Sequence, residues 1–145
     1  PDQPKDSSII EWVAFASNAF NVLVPFYADV NEIPEYLGNT TGEVSTDNFY
    51  WSSRLIAAMA DASYRKSIFH IERYQEHVMS RAHELIGLCD ASLAKESDAD
   101  KRLELKQKAN QALADMLKAE TASTLDKVLY ELSNLMKNAY SRSDA

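Results

Sequence analysis

The only cysteine, Cys89, is the first residue to weigh as a nucleophile. It falls on an apolar stripe, four residues from both Leu85 and Leu93, where burial raises a thiol's pKa and suppresses the thiolate. His83 stands six residues away, about 240° around a helix, so it is badly placed to activate the sulfur. The spacing assigns Cys89 to core packing. His70 and His77 lie two helical turns apart, roughly 10 Å, too far to share one ion directly. His83 points to another face, and neither a His-x-x-x-His nor a Glu-x-x-His pair occurs. No metal site is expected. A phosphate-cradling glycine loop and a Gly-x-Ser-x-Gly elbow are also missing, so no cofactor is expected. Polar residues inside apolar segments are the better candidates. Asn18 and Asn21 sit on or beside strand-like segments, where an amide must find partners and can donate to an oxyanion. Arg54 follows Tyr50-Trp51 in an apolar stretch, where a guanidinium needs a carboxylate or a bound anionic group. Each also has a structural reading: Asn18 in a turn, Asn21 as a satisfied strand amide, Arg54 in a buried ion pair.

Composition narrows the classes that such residues can serve. The chain has 145 residues, 46% apolar and 26% charged, with a net charge of −7. This is globular composition for one domain. The acidic balance argues against general nucleic-acid binding, because phosphate contacts need a basic face. The longest uncharged run, Trp12 to Ala28, holds Ser17, Asn18, Asn21 and Pro25, so no membrane helix is expected. One cysteine rules out an internal disulfide and fits a reducing compartment. With no basic-then-apolar leader at the start, the expectation is a cytoplasmic protein. Residue 1 is proline rather than an initiator methionine, which suggests polypeptide upstream.

The elements that position these residues divide into two regions, 1–47 and 48–145. All four prolines lie within the first 34 residues, and only Gly87 interrupts the chain after Gly42. The front reads as two strands, Ile9–Ala16 and Ala19–Tyr27, apolar on both faces and so expected to be covered above and below. Ser17-Asn18 between them is turn chemistry, which predicts an antiparallel pair. Pro25 lacks an amide donor and places an edge or strand end near Val24. Residues 28–47 read as a loop ending in the helix-capping types Ser45-Thr46-Asp47.

Three helices are expected beyond it, over about 48–62, 64–93 and 98–140. The first is apolar nearly all round and should be buried. The second carries a stripe of Ile71, Tyr74, Val78, Ala82, Leu85, Cys89 and Leu93. On the third, a seam runs through Leu105, Ala109, Ala112, Met116 and Ala119, then Leu125, Leu129, Leu132, Met136 and Ala139. Ser123 and Asp126 resemble a capping box, which predicts a kink there rather than a stop. The last two helices should pair as an antiparallel hairpin. A two-stranded ribbon is marginal alone, and residues 44–145 offer no third strand. The strands are therefore expected to belong to a larger sheet, with backbone edges left open here.

Taken together, three stretches resemble the C-terminal third of the dipeptidase A family. They are Trp12–Ser17 leading to Asn21–Tyr27, then Asn48–Asp61, then Ser133–Ala145. The resemblance implies an α+β fragment of an α-β-β-α N-terminal-nucleophile hydrolase sandwich, contributing a strand pair followed by a long helical hairpin. It implies a parent enzyme that hydrolyses dipeptides through a cysteine at its mature N-terminus. No counterpart of that cysteine occurs here, since residue 1 is Pro1, so no catalytic residue is assigned to this chain. Asn18, Asn21, Trp51 and Arg54 are carried forward as candidate substrate-binding residues. The implied partners are the upstream part of the same enzyme and dipeptide substrates, and a homo-oligomer is compatible with both. A second reading makes the chain a non-enzymatic helical module that dimerises through the 98–140 seam.

Overall fold

The computed structural model describes residues 9–13 and 22–143. Strands β1 (Ile10–Val13) and β2 (Val24–Tyr27) form an antiparallel pair in the register Ile10↔Tyr27 to Val13↔Val24. Four helices follow: α1 (Glu35–Gly38), α2 (Phe49–Ala62), α3 (Tyr64–Ala94) and α4 (Ala99–Ser143). The described residues are thus mostly helical with one short strand pair, an α+β arrangement. The expected Ser17-Asn18 turn, with Asn18 and Asn21, lies outside the described residues.

Local chemistry sets the helix ends. Asn48, rather than Ser45, Thr46 or Asp47, caps α2 by accepting the Trp51 amide at 2.9 Å. Ser63 alone separates α2 from α3, and its hydroxyl reaches the Met59 carbonyl at 2.8 Å. Asp98 precedes α4 and accepts the Lys101 amide at 3.0 Å. Arg102, in the following turn, reaches back across the hairpin. Its Nη1 donates to the carbonyls of Leu93 at 2.5 Å and Glu96 at 2.8 Å. A cation thereby sits at the end of α3, where the helix dipole is negative.

α3 and α4 are antiparallel: Tyr74 meets Thr121, His77 meets Glu120, and Cys89 meets Leu105. On α3 the buried residues include Ile71, Tyr74, Val78, Ala82, Cys89 and Leu93, the stripe expected from spacing, with Leu85 partly buried. On α4 the expected seam is corrected. The buried stripe is Lys106, Ala109, Asn110, Leu113, Ala114, Leu117, Thr121, Thr124 and Val128. Of the expected seam only Ala109 is buried, whereas Ala119, Leu129, Met136 and Ala139 are exposed. The real stripe lies about one residue, or roughly 100°, around the helix. It admits polar side chains because each has a partner inside. Thr121 shares a hydrogen bond with the Tyr74 hydroxyl at 2.8 Å, and Thr124 donates to the Glu120 carbonyl at 2.9 Å. The polar Thr121–Thr124 stretch therefore stays within one uninterrupted helix.

β2 is covered on both faces. Val24 and Phe26 join the main core with Phe49, Ile56, Leu113 and Leu117, while Tyr27 joins a second cluster with Cys89, Leu93 and Ala109. β1 departs from expectation. Glu11 and Trp12 are exposed, and Ile10 packs partly against the second cluster. α2 departs too, for it is half-buried. Phe49, Ser52, Ser53, Ile56 and Ala60 face the core, and Arg54 and Asp61 face solvent.

Candidate functional site

The polar residues of the α4 stripe hold β2. Tyr27 N–H donates to Asn110 Oδ1 at 2.8 Å, and Asn110 Nδ2 donates to the Tyr27 carbonyl at 2.9 Å. One side-chain amide thus takes the place of a neighbouring strand. One turn earlier on α4, Lys106 Nζ pairs with Asp29 Oδ2 at 2.5 Å, just beyond the end of β2. Sequence reading missed both residues because a periodicity built on apolar types passes over a polar residue in a buried row. The available signal was their four-residue spacing on one face of the helix.

Tyr27, held this way, reaches the end of α3. Its hydroxyl donates to Asp90 Oδ1 at 2.6 Å. Burial above all, with that carboxylate beside it, raises the phenol well above its ordinary pKa. Cys89 lies alongside, its Sγ 3.5 Å from the Leu105 carbonyl, and burial pushes its thiol up as well. Both groups stay protonated at neutral pH, so this cluster fastens strand to hairpin and holds no nucleophile.

Beside it, a cavity of about 410 Å³ opens between the strand pair, residues 28–34 and α1. Phe26, Val30, Ile33 and Leu37 supply its apolar walls, and Glu11 and Glu32 supply exposed carboxylates. Asn110 also lines it, with its amide engaged by Tyr27. Such a space suits a small apolar group carrying a cation.

Trp51 and Arg54 are brought together, on the solvent side of α2. The Arg54 guanidinium carbon lies 5.4 Å from the Tyr50 ring centre and 5.5 Å from that of Trp51. Its Nη1 donates to the Tyr50 hydroxyl at 2.9 Å. Trp51 is itself anchored by its indole N–H, which donates to the Thr41 carbonyl at 2.7 Å. The buried ion pair considered for Arg54 is corrected. The residue is exposed and stacked on aromatic faces, because α2 turns this side to solvent. Asn18 and Asn21 fall outside the described residues. Of the histidines, His70 pairs with Glu131 at 3.2 Å and His77 with Glu120 at 3.6 Å. Among the described residues there is no group of three or more His, Cys, Asp or Glu able to hold a metal ion. None of their helices is long and apolar enough to cross a membrane.

The profile of peptidase family C69 matches residues 1–77, more than half of the chain. The chain belongs to this family. Its relatives among curated proteins carry one kind of name. A "Probable dipeptidase A" of Streptococcus pyogenes serotype M18 (strain MGAS8232) is 40% identical over 144 residues, which are 99% of this chain and 29% of that protein. A "Dipeptidase" of Bifidobacterium longum (strain NCC 2705) is 35% identical, covering 99% of this chain and 34% of its own length. A "Dipeptidase A" of Lactobacillus helveticus is 26% identical, with 99% of this chain and 30% of that protein aligned. The chain therefore spans about three-tenths of the length of these C69 relatives, as their C-terminal part.

Proposed function

We propose that this chain is the C-terminal part of a cytoplasmic dipeptidase whose cysteine nucleophile lies in the preceding polypeptide. The observation that carries the reading is the alignment of 99% of the chain with proteins named dipeptidases. In this reading an N-terminal cysteine thiol attacks the dipeptide carbonyl and its own α-amino group takes the proton. The proton passes to the leaving amine, an acyl-enzyme thioester remains, and water releases the acid and restores the thiol. The chain here supplies strands and outer helices to an α-β-β-α sandwich and is inactive by itself. A strand covered on both faces, as β2 is, suits such a layered fold.

Asn18, Asn21, Trp51 and Arg54 brace the substrate pocket of the assembled enzyme in this proposal. Support comes from Arg54. Its guanidinium is held over two rings, and no carboxylate among the described residues pairs with it. That leaves its charge available to the carboxylate end of a peptide. A second reading, the non-enzymatic module, is favoured by one observation: Leu129, Tyr130 and Met136 form an exposed apolar patch near the end of α4.

The test is dipeptide hydrolysis by this chain and by the full-length protein, each with and without a thiol-alkylating reagent. Activity confined to the full-length protein and abolished by alkylation supports the proposal. If the full-length protein cleaves no dipeptide, the enzymatic reading fails and the module takes its place.

A further inference from the structure

We infer that the outer edge of β1 is a strand-docking edge, occupied by an extended segment of the longer polypeptide. The inference rests on the reading of this chain as part of a larger protein and adds where, and by which groups, the two parts join.

The argument starts from ladder parity. Ala28 N–H donates to the Ile9 carbonyl at 2.8 Å, so residues 9 and 28 form a hydrogen-bonded pair. Bonded and non-bonded pairs alternate along an antiparallel ladder. In this register Glu11↔Phe26 is bonded, whereas Ile10↔Tyr27 and Trp12↔Pro25 are not. The main-chain groups of Ile10 and Trp12 on one strand, and of Pro25 and Tyr27 on the other, therefore point away from the ribbon.

The two outward edges are treated differently. On β2, Asn110 takes both main-chain groups of Tyr27, and Pro25 has no N–H to satisfy. That edge is closed to a further strand. On β1, the N–H and C=O of Ile10 and Trp12 have no partner among the described residues. Glu11 is the one charge in β1, and Ile-Glu-Trp-Val contains no lysine and no proline. Apolar side chains stand bare on and beside it, with Trp12 50% and the preceding Ile9 61% exposed.

A second copy of the chain fits this edge poorly. Two β1 strands pairing antiparallel through the outward groups of both Ile10 and Trp12 would match Ile10 with Trp12 across a two-fold at Glu11. Glu11 would then face its own copy at a close non-bonded position, and like charges directly opposite are destabilising. The other source is close at hand, since the aligned region is only 29% of the Streptococcus pyogenes relative. The segment that fits is extended, with apolar side chains beside Ile10 and Trp12 and a non-acidic residue opposite Glu11.

The test is amide hydrogen exchange at single-residue resolution on the full-length protein. The expected result is that the Ile10 and Trp12 amides are protected on the order of 100-fold or more, comparably to Glu11. Exchange of Ile10 and Trp12 at solvent-exposed rates overturns the proposal. So does protection that vanishes when the protein is diluted until sedimentation shows a monomer, because the occupant is then a second copy. The readout is independent of catalysis. Protected amides in a protein that cleaves no dipeptide would remove the enzymatic reading and keep the docking edge, and unprotected amides in an active dipeptidase would do the reverse.

Discussion

β1 and β2 are paired strands of four residues each, yet they live in different environments. All four residues of β2 are buried, with helical side chains on both faces and the Asn110 amide along the free edge. β1 exposes Glu11 and Trp12, and its outward main-chain groups have no partner among the described residues. α4 repeats the contrast along its own length. Up to Val128 its inner row is buried and its polar members are partnered, and beyond that Leu129, Tyr130 and Met136 stand in solvent. What this chain packs for itself is thus a β2–α2–α3–α4 unit, and β1 and the far end of α4 are among the parts it leaves uncovered.

The sharpest way to break that comparison is to remove the surrogate strand. Asn110 is 2% exposed, and Asn110→Ala leaves the buried N–H and C=O of Tyr27 without partners. At about 1–3 kcal/mol for each of the two groups, urea unfolding should show a loss of roughly 2–6 kcal/mol. No change in the unfolding midpoint would mean that β2 is not held by this contact. Leu117→Ala acts in the same unit from the apolar side. Leu117 is fully buried, and its truncation should cost about 2–5 kcal/mol in the same assay.

A smaller effect is expected from Tyr74→Phe, which removes the hydroxyl bonded to Thr121 at 2.8 Å. A loss of roughly 1–2 kcal/mol should follow, the exchange of one buried hydrogen bond for one unpaired hydroxyl. Titration reads the same unit. Burial raises the pKa values of Tyr27, Tyr74 and Cys89 on folding, so the folded state holds their protons more tightly than the unfolded chain. Their contribution is fully present below the unfolded pKa values, about 8.5 for thiol and about 10 for phenol. It is lost as pH rises from there toward the folded values. Thermal melts between about pH 7 and pH 11 should therefore fall on the alkaline side, and Tyr27→Phe should flatten that fall. The smallest effect belongs to β1. Trp12→Thr in this chain should shift stability by no more than about 0.5 kcal/mol, as at other exposed sites. A clearly larger loss would show that the chain covers β1 after all.

Much of this was legible in the residue order. The helix breakers of the first 34 residues separate a strand region from a helical one, and strict spacing picks out the α3 stripe, because both signals depend only on local backbone and side-chain geometry. The α4 stripe was not legible. Lys106, Asn110 and Thr121 look like surface residues until Asp29, Tyr27 and Tyr74, up to 83 positions away, supply their partners. Arg54 was misplaced for the converse reason: apolar neighbours in sequence do not reveal which side of α2 the core occupies.

The amino-acid sequence by itself determined where helices can run, that two strands would pair antiparallel, and that the chain belongs to peptidase family C69. Tertiary structure alone decided which face of α4 is inside and which edge of the ribbon is closed. Those outcomes depend on hydrogen bonds and burial between residues far apart in the chain. Periodicity records only the rows along a helix, whereas a buried polar group is stable only where a distant partner meets it.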